Sequence, residues 1–531
     1  MLDLKITGAT VVDGTGAPAL GADVGVRDDT IAAVGDLGHE PAGLVLDAHG
    51  LALAPGFIDM HSHSDWRLWA NRRAESKIRQ GVTTEVVGNC GFSPAPVSPA
   101  FREDLRAFAL YVPEGMDFGW HSVGEYLDRF AADGCALNVV QLVGHGTLRI
   151  ATMGFARRAP TASELGAMQR LVAQSLEGGA WGLSTGLIYA PGASADTAEL
   201  VELAQVAGRH GGFYASHVRG EGATLLDAVA EAIRIGRDGR LPVEVSHLKA
   251  AGRRHWGQVT EALALIEAAR AEGLDVTADV YPYTGSSTTL RTLLPDRALE
   301  GGVDEMLKRL ADPATRARIA AEIDSGGGGG EGFATNVGRD NIMIAYAPAR
   351  REAGQRLSAL ARGWGVPPVE AALRLIEAER GRASMILFQL DEADVRRVLA
   401  HPAVMIGSDG SALATSGELG QGKPHPRSYG TFPRVLGRYS RDERLLSLEA
   451  AVHKMTGLPA GKLGLEDRGV VRSGAKADLV VFDPATVRDH ASYEDPHRYP
   501  GGIEHVLVNG RLAVKHGEHT GSLPGRILRR P

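Results

Sequence analysis

The chain has 531 residues but only two cysteines, Cys90 and Cys135. One disulfide at most is possible, so a disulfide-built scaffold is excluded and a thiolate ligand or core thiol becomes the natural reading. Aromatic residues are scarce at 5%, which argues against an antiparallel β-protein rich in aromatic strand pairs. No run of about 18 apolar residues occurs, so no membrane-spanning helix is expected. There is no excess of basic residues either. Lys and Arg total 57 against 64 Asp and Glu, a net charge of −7, and no basic stripe suggests a nucleic-acid partner. The opening MLDLKITGATVVDG lacks the basic and apolar regions of a secretory leader, so a reducing cytoplasm is the expected location.

Glycine is abundant instead, with 68 residues or about 13% of the chain, roughly twice ordinary usage and without a Gly-X-Y period. Tight turns and close helix–strand contacts in an α/β protein account for such an excess. Residues 4–54 alternate apolar and polar positions between Gly, Asp and Pro breaks, as do ADLVVFD (477–483) and HVLVNGRLAVKHG (505–517). Both ends therefore read as strands and turns, and they are expected to meet in one small β-domain, 1–54 plus 470–531.

The middle alternates short apolar runs with segments of helical period. In GEGATLLDAVAEAIRIG, Leu225, Leu226, Val229 and Ile233 share a helix face. Eight candidate strands end in polar residues: PGFIDMHSH, TTEVVGNC, LNVVQLVGH, WGLSTGL, GGFYASH, PVEVSH, DVTADVYPY and AVMIGSD. From His217 the next two end markers, His247 and Tyr281, follow at about one βα unit each. The last step, to Asp409, is far longer and must contain an insertion. The expected architecture is α/β, a (β/α)8 TIM-like barrel over 55–469. A β-sandwich domain formed by both termini and an insertion subdomain after strand seven, at about 288–345, complete it. SGGGGGEG (325–332) reads as a surface loop within that insertion.

Residues that end barrel strands face the catalytic mouth. Here they include His61, His63, Cys90, His217, His247 and Asp409, a metal-ligand set. His61 and His63 are two apart and so lie on one face of an extended segment. Asp409 is placed to take a proton from a metal-activated water and pass it to a leaving amine. Lys249, two residues after His247, can share the mouth with it. His145 ends the third strand and is either a group that orients a ligand or a structural histidine. Cys135 reads as a core thiol.

The motifs PGFIDMHSH, ASHVRGE, EVSHLK and IGSDG resemble the metal-dependent amidohydrolase superfamily. GNCGFS, GLSTGLIYAPG, KPHPRSYGTFPRVLG and MTGLPAGKLGLEDRGVVRSGAKADLVVFDP resemble the N-acyl-D-amino-acid deacylases (D-aminoacylases) within it, over almost the whole chain. The resemblance implies a tightly bound Zn2+ held by Cys90, His217 and His247. It implies a weaker second site on His61, His63, Cys90 and Asp409. Many superfamily members bridge two metals with a carboxylated lysine on strand four; GLSTGL has none, which leaves that role to Cys90. Arg427 and Lys249 are the implied clamp for the substrate carboxylate, with Tyr281, Ser287 and Tyr189 as further contacts. Tyr283 with Thr289 has the same spacing as Tyr281 with Ser287. The implied reaction is hydrolysis of N-acyl-D-amino acids, or of dipeptides with a C-terminal D-residue. The alternatives are a cyclic-amide hydrolase of the hydantoinase or dihydroorotase type and a metal-less scaffold. The expected partner is a small molecule.

Overall fold

The structure is a computed structural model that describes residues 1–327, 336–347 and 352–530. Most of the glycine-rich loop therefore lies outside the described residues.

Each expected strand of the middle segment is present. β6 (Phe57–Asp59), β7 (Val82–Val87) and β8 (Asn138–Gln141) form one parallel sheet. β9 (Val143–Gly144), β10 (Gly182–Gly186), β11 (Phe213–His217), β12 (Val243–Val245), β13 (Val276–Val280) and β17 (Val404–Ile406) form a second, in the order β17-β13-β12-β11-β10-β9. Backbone hydrogen bonds join the two. Trp181 donates to the Gln141 carbonyl at 2.8 Å, and Asp409 donates to that of His61 at 2.7 Å. These strands are buried on both sides, as parallel strands covered by helices must be. Helix Leu225–Gly239 shows why: Leu225, Val229 and Ile233 are buried on its inner face as the period requires, with Ala228 and Ala232 between them. Leu226 is only half-buried. None of the described helices is long and apolar enough to cross a membrane.

The two ends of the chain do meet. β1 (Leu2–Val11), β2 (Leu20–Arg27), β3 (Thr30–Gly35), β4 (Ala42–Asp47) and β5 (Ala52–Pro55) join β18 (Leu479–Phe482), β19 (Ile503–Val508), β20 (Arg511–Lys515) and β21 (Glu518–His519). All nine strands belong to one hydrogen-bonded sheet, where two separate sheets of a sandwich were expected. The reason lies in β1. It pairs with β4 through Leu2–Thr7 and with β5 at Thr10 and Val11, across a bulge between Ile6 and Ala9. The sheet therefore branches and stays continuous. Its own core includes Ile6, Val24, Leu53, Leu479 and Leu507.

Between β13 and β17 stands an antiparallel sheet of β14 (Gly285–Thr289), β15 (Ile342–Tyr346) and β16 (Ser384–Phe388), in the order β14-β16-β15. It has a separate core of Leu290, Ile342, Ile344, Met385 and Leu387. The segment that departs from strand–helix alternation thus runs from 285 to 388. The 345 limit read from the sequence falls short because the central strand of this sheet, β16, is the last in the chain.

Candidate metal centre

The polar ends of the parallel strands converge on one buried cluster. Cys90 follows β7 with φ +53, between Gly88 (φ +84) and Gly91 (φ +77). A Cβ at Gly88 would come within 2.2 Å of the Leu142 carbonyl oxygen. The left-handed turn of GNCG thus needs glycine there, and it turns the thiol inward. Cys90 Sγ lies 3.3 Å from His61 Nε2, 3.7 Å from His217 Nδ1 and 3.6 Å from His247 Nε2. Two ligands on one tetrahedral zinc, with bonds of about 2.3 Å to sulfur and 2.05 Å to nitrogen, stand about 3.5 Å apart. The sulfur–nitrogen separations fit that geometry. Burial would push the Cys90 thiol up, but His61, His217 and His247 hold it well below its usual value, in the thiolate form a metal requires.

A second group adjoins the first. His63 Nε2 is 3.1 Å and His61 Nε2 3.7 Å from Asp409 Oδ1. The opposite oxygen of Asp409 pairs with Arg427 at 2.8 Å. Burial acts to raise the Asp409 carboxyl, yet Arg427 and His63 keep it well below the carboxylate range. It is therefore ionised, as a proton acceptor must be. A third set, His217, Glu221 and His247, borders the first.

The expected substrate contacts line one cavity of about 1290 Å³, counted with its open mouth, above these ligands. Tyr281 lies on its wall with a buried hydroxyl that has no hydrogen-bond partner among the described residues. Arg427 lies over its ring, 4.8 Å from the centroid. Tyr283 packs beneath Arg434 and is not part of this wall, although Thr289 is. Ser287 lines the cavity while its hydroxyl donates to the Met385 carbonyl at 3.0 Å. The Tyr189 hydroxyl meets Thr288 at 3.1 Å, and its ring stands edge-on to His217. Lys249 is on the wall, where it donates to Glu221 (2.5 Å) and to the His247 carbonyl (3.0 Å) and stands 2.8 Å from His247 Nδ1. The implied carboxylate clamp is thus also an ion-pair partner of Glu221.

Two residues that sequence reasoning passed over orient the ligands. Asp279 accepts from the His247 backbone at 3.0 Å and contacts His61 Nδ1 at 3.1 Å, so one carboxylate braces one imidazole and the backbone that carries another. Glu221 reaches His217 Nε2 at 3.5 Å and His247 Nδ1 at 3.3 Å. The available signal was their position: Asp279 is two before Tyr281 on β13, and Glu221 is four after His217 in ASHVRGE. His145 instead bonds Glu199 at 2.8 Å, which also pairs with Arg149 at 2.5 Å. All three side chains are buried. Cys135 is a free core thiol that burial pushes up to about 11.

A thiolate shared by three imidazoles, with an ionised carboxylate beside it at the ends of parallel strands, defines a metallohydrolase. The chain belongs to the amidohydrolase family, whose model matches residues 44–514. It is 42% identical over 530 residues to the N-acyl-D-glutamate deacylase of Alcaligenes xylosoxydans xylosoxydans, covering 100% of this chain and 97% of that protein. It is 40% identical over 528 residues to the D-aminoacylase of the same organism, covering 99% and 98%. Among solved structures, the Bordetella bronchiseptica N-acyl-D-glutamate deacylase, complexed with zinc and a phosphonate mimic of the tetrahedral intermediate, superposes with a TM-score of 0.84. It is 39% identical, over 100% of both chains. A D-hydantoinase from Thermus sp. shares the fold at 18% identity and a TM-score of 0.56, over 99% of both chains.

Proposed function

We propose that this protein is a zinc-dependent deacylase of N-acyl-D-amino acids, releasing a carboxylate and a free D-amino acid. The observation that carries the reading is Cys90 within 3.7 Å of His61, His217 and His247. This cysteine-centred ligand set stands where strand four, Gly182–Gly186, offers Ser184 and no lysine. The high identity to deacylases over the full chain supports it against a hydantoinase. We further take the two parallel sheets as arcs of one eight-stranded barrel, 55–469, counting β8 and β9 as one strand, since backbone hydrogen bonds link their edges. The termini form a separate domain, 1–54 with 470–531, and residues 285–388 the insertion. Two free, buried cysteines suit the cytoplasm.

Cys90, His217 and His247 would hold the tight zinc, and His61, His63, Cys90 and Asp409 a weaker second site. Zinc in such a site polarises an amide carbonyl and activates water near neutral pH. Asp409, ionised beside Arg427 and His63, takes the proton of the attacking water. It then hands that proton to the amide nitrogen as the amino acid leaves. Arg427 binds the substrate α-carboxylate with the donors that Asp409 does not occupy. The unpartnered Tyr281 hydroxyl is a donor for the same substrate. Ser287 and Tyr189 shape the wall, and Lys249, neutralised by Glu221, steadies His247.

The test is a panel of N-acetyl-D- and L-amino acids, with hydantoin and dihydroorotate alongside, assayed with zinc and after chelation. Turnover of D-amides that disappears on chelation and returns with zinc is expected. Cleavage of the cyclic amides alone, or activity indifferent to chelation, overturns the reading.

A further inference from the structure

A buried cluster of charge lies behind the ligands, outside the cavity. Lys77, on the short helix Glu75–Ile78, is wholly buried, as are Asp59 at the end of β6 and Glu85 on β7. An ammonium has three donors. That of Lys77 stands 2.7 Å from Asp59, 3.0 Å from Glu85 and 2.6 Å from the Ser408 hydroxyl. Burial acts to lower its pKa, but Asp59 and Glu85 raise it above the usual value, so it stays charged.

Each carboxylate holds a different strand end. Asp59 accepts from the Ser408 backbone at 2.8 Å and from its hydroxyl at 2.6 Å. Ser408 Oγ in turn accepts from Lys77 and from the Gly410 backbone, the latter at 3.0 Å. One hydroxyl thus ties down the turn on both sides of Asp409. Glu85 accepts from the hydroxyl of Ser62, between His61 and His63, at 2.7 Å and from that of Ser64 at 2.9 Å. The two strand ends also meet directly: Asp409 donates to the His61 carbonyl and His63 to that of Gly410, both at 2.7 Å. Asp409 has φ +50, a left-handed backbone that a residue other than glycine keeps only where its surroundings impose it.

A buried ion pair is weak evidence for stability, because apolar residues of the same volume often serve as well. Apolar residues could not hold the Ser408 hydroxyl. We propose that Lys77 is a positioning residue: through Ser408 it sets the Ser408–Gly410 turn, and with it the place of Asp409 beside His63. Its effect on rate rests on the deacylase reading, and its effect on metal binding rests on the ligand geometry alone.

The test compares wild type with Ser408→Ala, Lys77→Met, the double variant and Ser408→Thr. Ser408→Ala leaves both ion pairs of Lys77 in place, so it decides the proposal even where Lys77→Met fails to fold. Rates are measured on N-acetyl-D-amino acids, and zinc binding to the metal-free proteins by calorimetry. A misplaced base or ligand costs about 10- to 100-fold. Ser408→Ala and Lys77→Met are each expected to lose that much in kcat, with KM within about threefold of wild type. The first zinc equivalent should bind as tightly as before, and the second at least about tenfold more weakly. Because the two residues act through one link, the double variant should lose no more than the worse single variant. Ser408→Thr, which keeps the hydroxyl, should recover most of kcat. A merely structural network would lower Tm and leave kcat of the folded variants unchanged, and that result overturns the proposal. Equal losses in kcat, KM and first-zinc affinity, or additive losses in the double variant, overturn it too. If wild type cleaves no N-acetyl-D-amino acid, the deacylase reading has failed. The second zinc equivalent then decides the role of Lys77 separately: at least about tenfold weaker binding to Ser408→Ala supports it, and equal binding, or none by either protein, refutes it.

Discussion

Histidine is buried in two regions of this molecule, with opposite results. At the metal centre His61 is raised well above its ordinary value and His63 to about 9, while burial, Lys249 and His217 lower His247. In the terminal sheet His505 and His519 are depressed to about 4. Burial opposes the charged imidazole in both places and is the largest influence in each. Around His61 the carboxylate of Asp279 and the thiol of Cys90 overturn it, and around His63 Asp409 and Cys90 do so. Around His505 the neighbours are His516 and Lys515, and around His519 the leading charge is Arg73, all of which add to the penalty. The chain thus prepares His61 and His63 among anions, where a cation can replace the protons. In the terminal sheet the neutral form is favoured, for buried His505 and half-buried His519 alike.

Substituting Asp409 strikes this contrast hardest. Asp409→Ala is expected to keep the zinc held by Cys90, His217 and His247 while kcat falls about 100- to 10,000-fold. Metal analysis and steady-state rates check it, and near-normal turnover would remove Asp409 as the base. Next is Asp279→Asn, which removes the charge behind His61 while keeping its shape. Zinc affinity is expected to drop about 10- to 100-fold, read by competition with a chelator. Unchanged affinity would mean that Asp279 only braces the backbone.

Arg427→Ala should act twice, because one guanidinium faces both Asp409 and the substrate. KM is expected to rise about tenfold. Removing the positive charge raises the Asp409 carboxyl, so the acid limb of kcat/KM should move to higher pH. A rise in KM with an unmoved acid limb would separate the two roles. The smallest effect belongs to the terminal sheet. His505 titrates lower folded than unfolded, so between about pH 6.5 and 4 the unfolded chain binds more protons and stability is lost as pH falls. His505→Asn should flatten that loss in denaturant titrations at pH 7 and pH 5. Identical losses in variant and wild type would show that His505 is not part of the contrast.

The sites of chemistry were legible because they recur at strand ends. His61, His63, Cys90, His217, His247 and Asp409 each close a short apolar run, and the structure gathers all six. Their partners were not legible. Asp279 sits inside a strand and Glu221 in a loop, and nothing local distinguishes a carboxylate that braces an imidazole from one that faces water. Lys249 shows the same limit from the other side. Its two-residue spacing from His247 put it at the mouth, but spacing could not reveal that Glu221 would neutralise it. The 288–345 bounds of the insertion missed β16, which reads locally like any other apolar run and becomes a central antiparallel strand only through pairing with β14 and β15.

By itself the sequence determined the order of strands and helices, the ends that carry ligands, and the glycine-flanked turn that presents Cys90. These follow from periodicity and backbone sterics, which act over a few residues. Only the tertiary structure decided that one sheet would join both termini, that Asp409 would be ionised between Arg427 and His63, and that Lys77 would link Asp59, Glu85 and Ser408 behind it. Those outcomes depend on charges and hydrogen-bonding groups brought together from distant positions, at separations where burial and Coulomb interactions outweigh local preference.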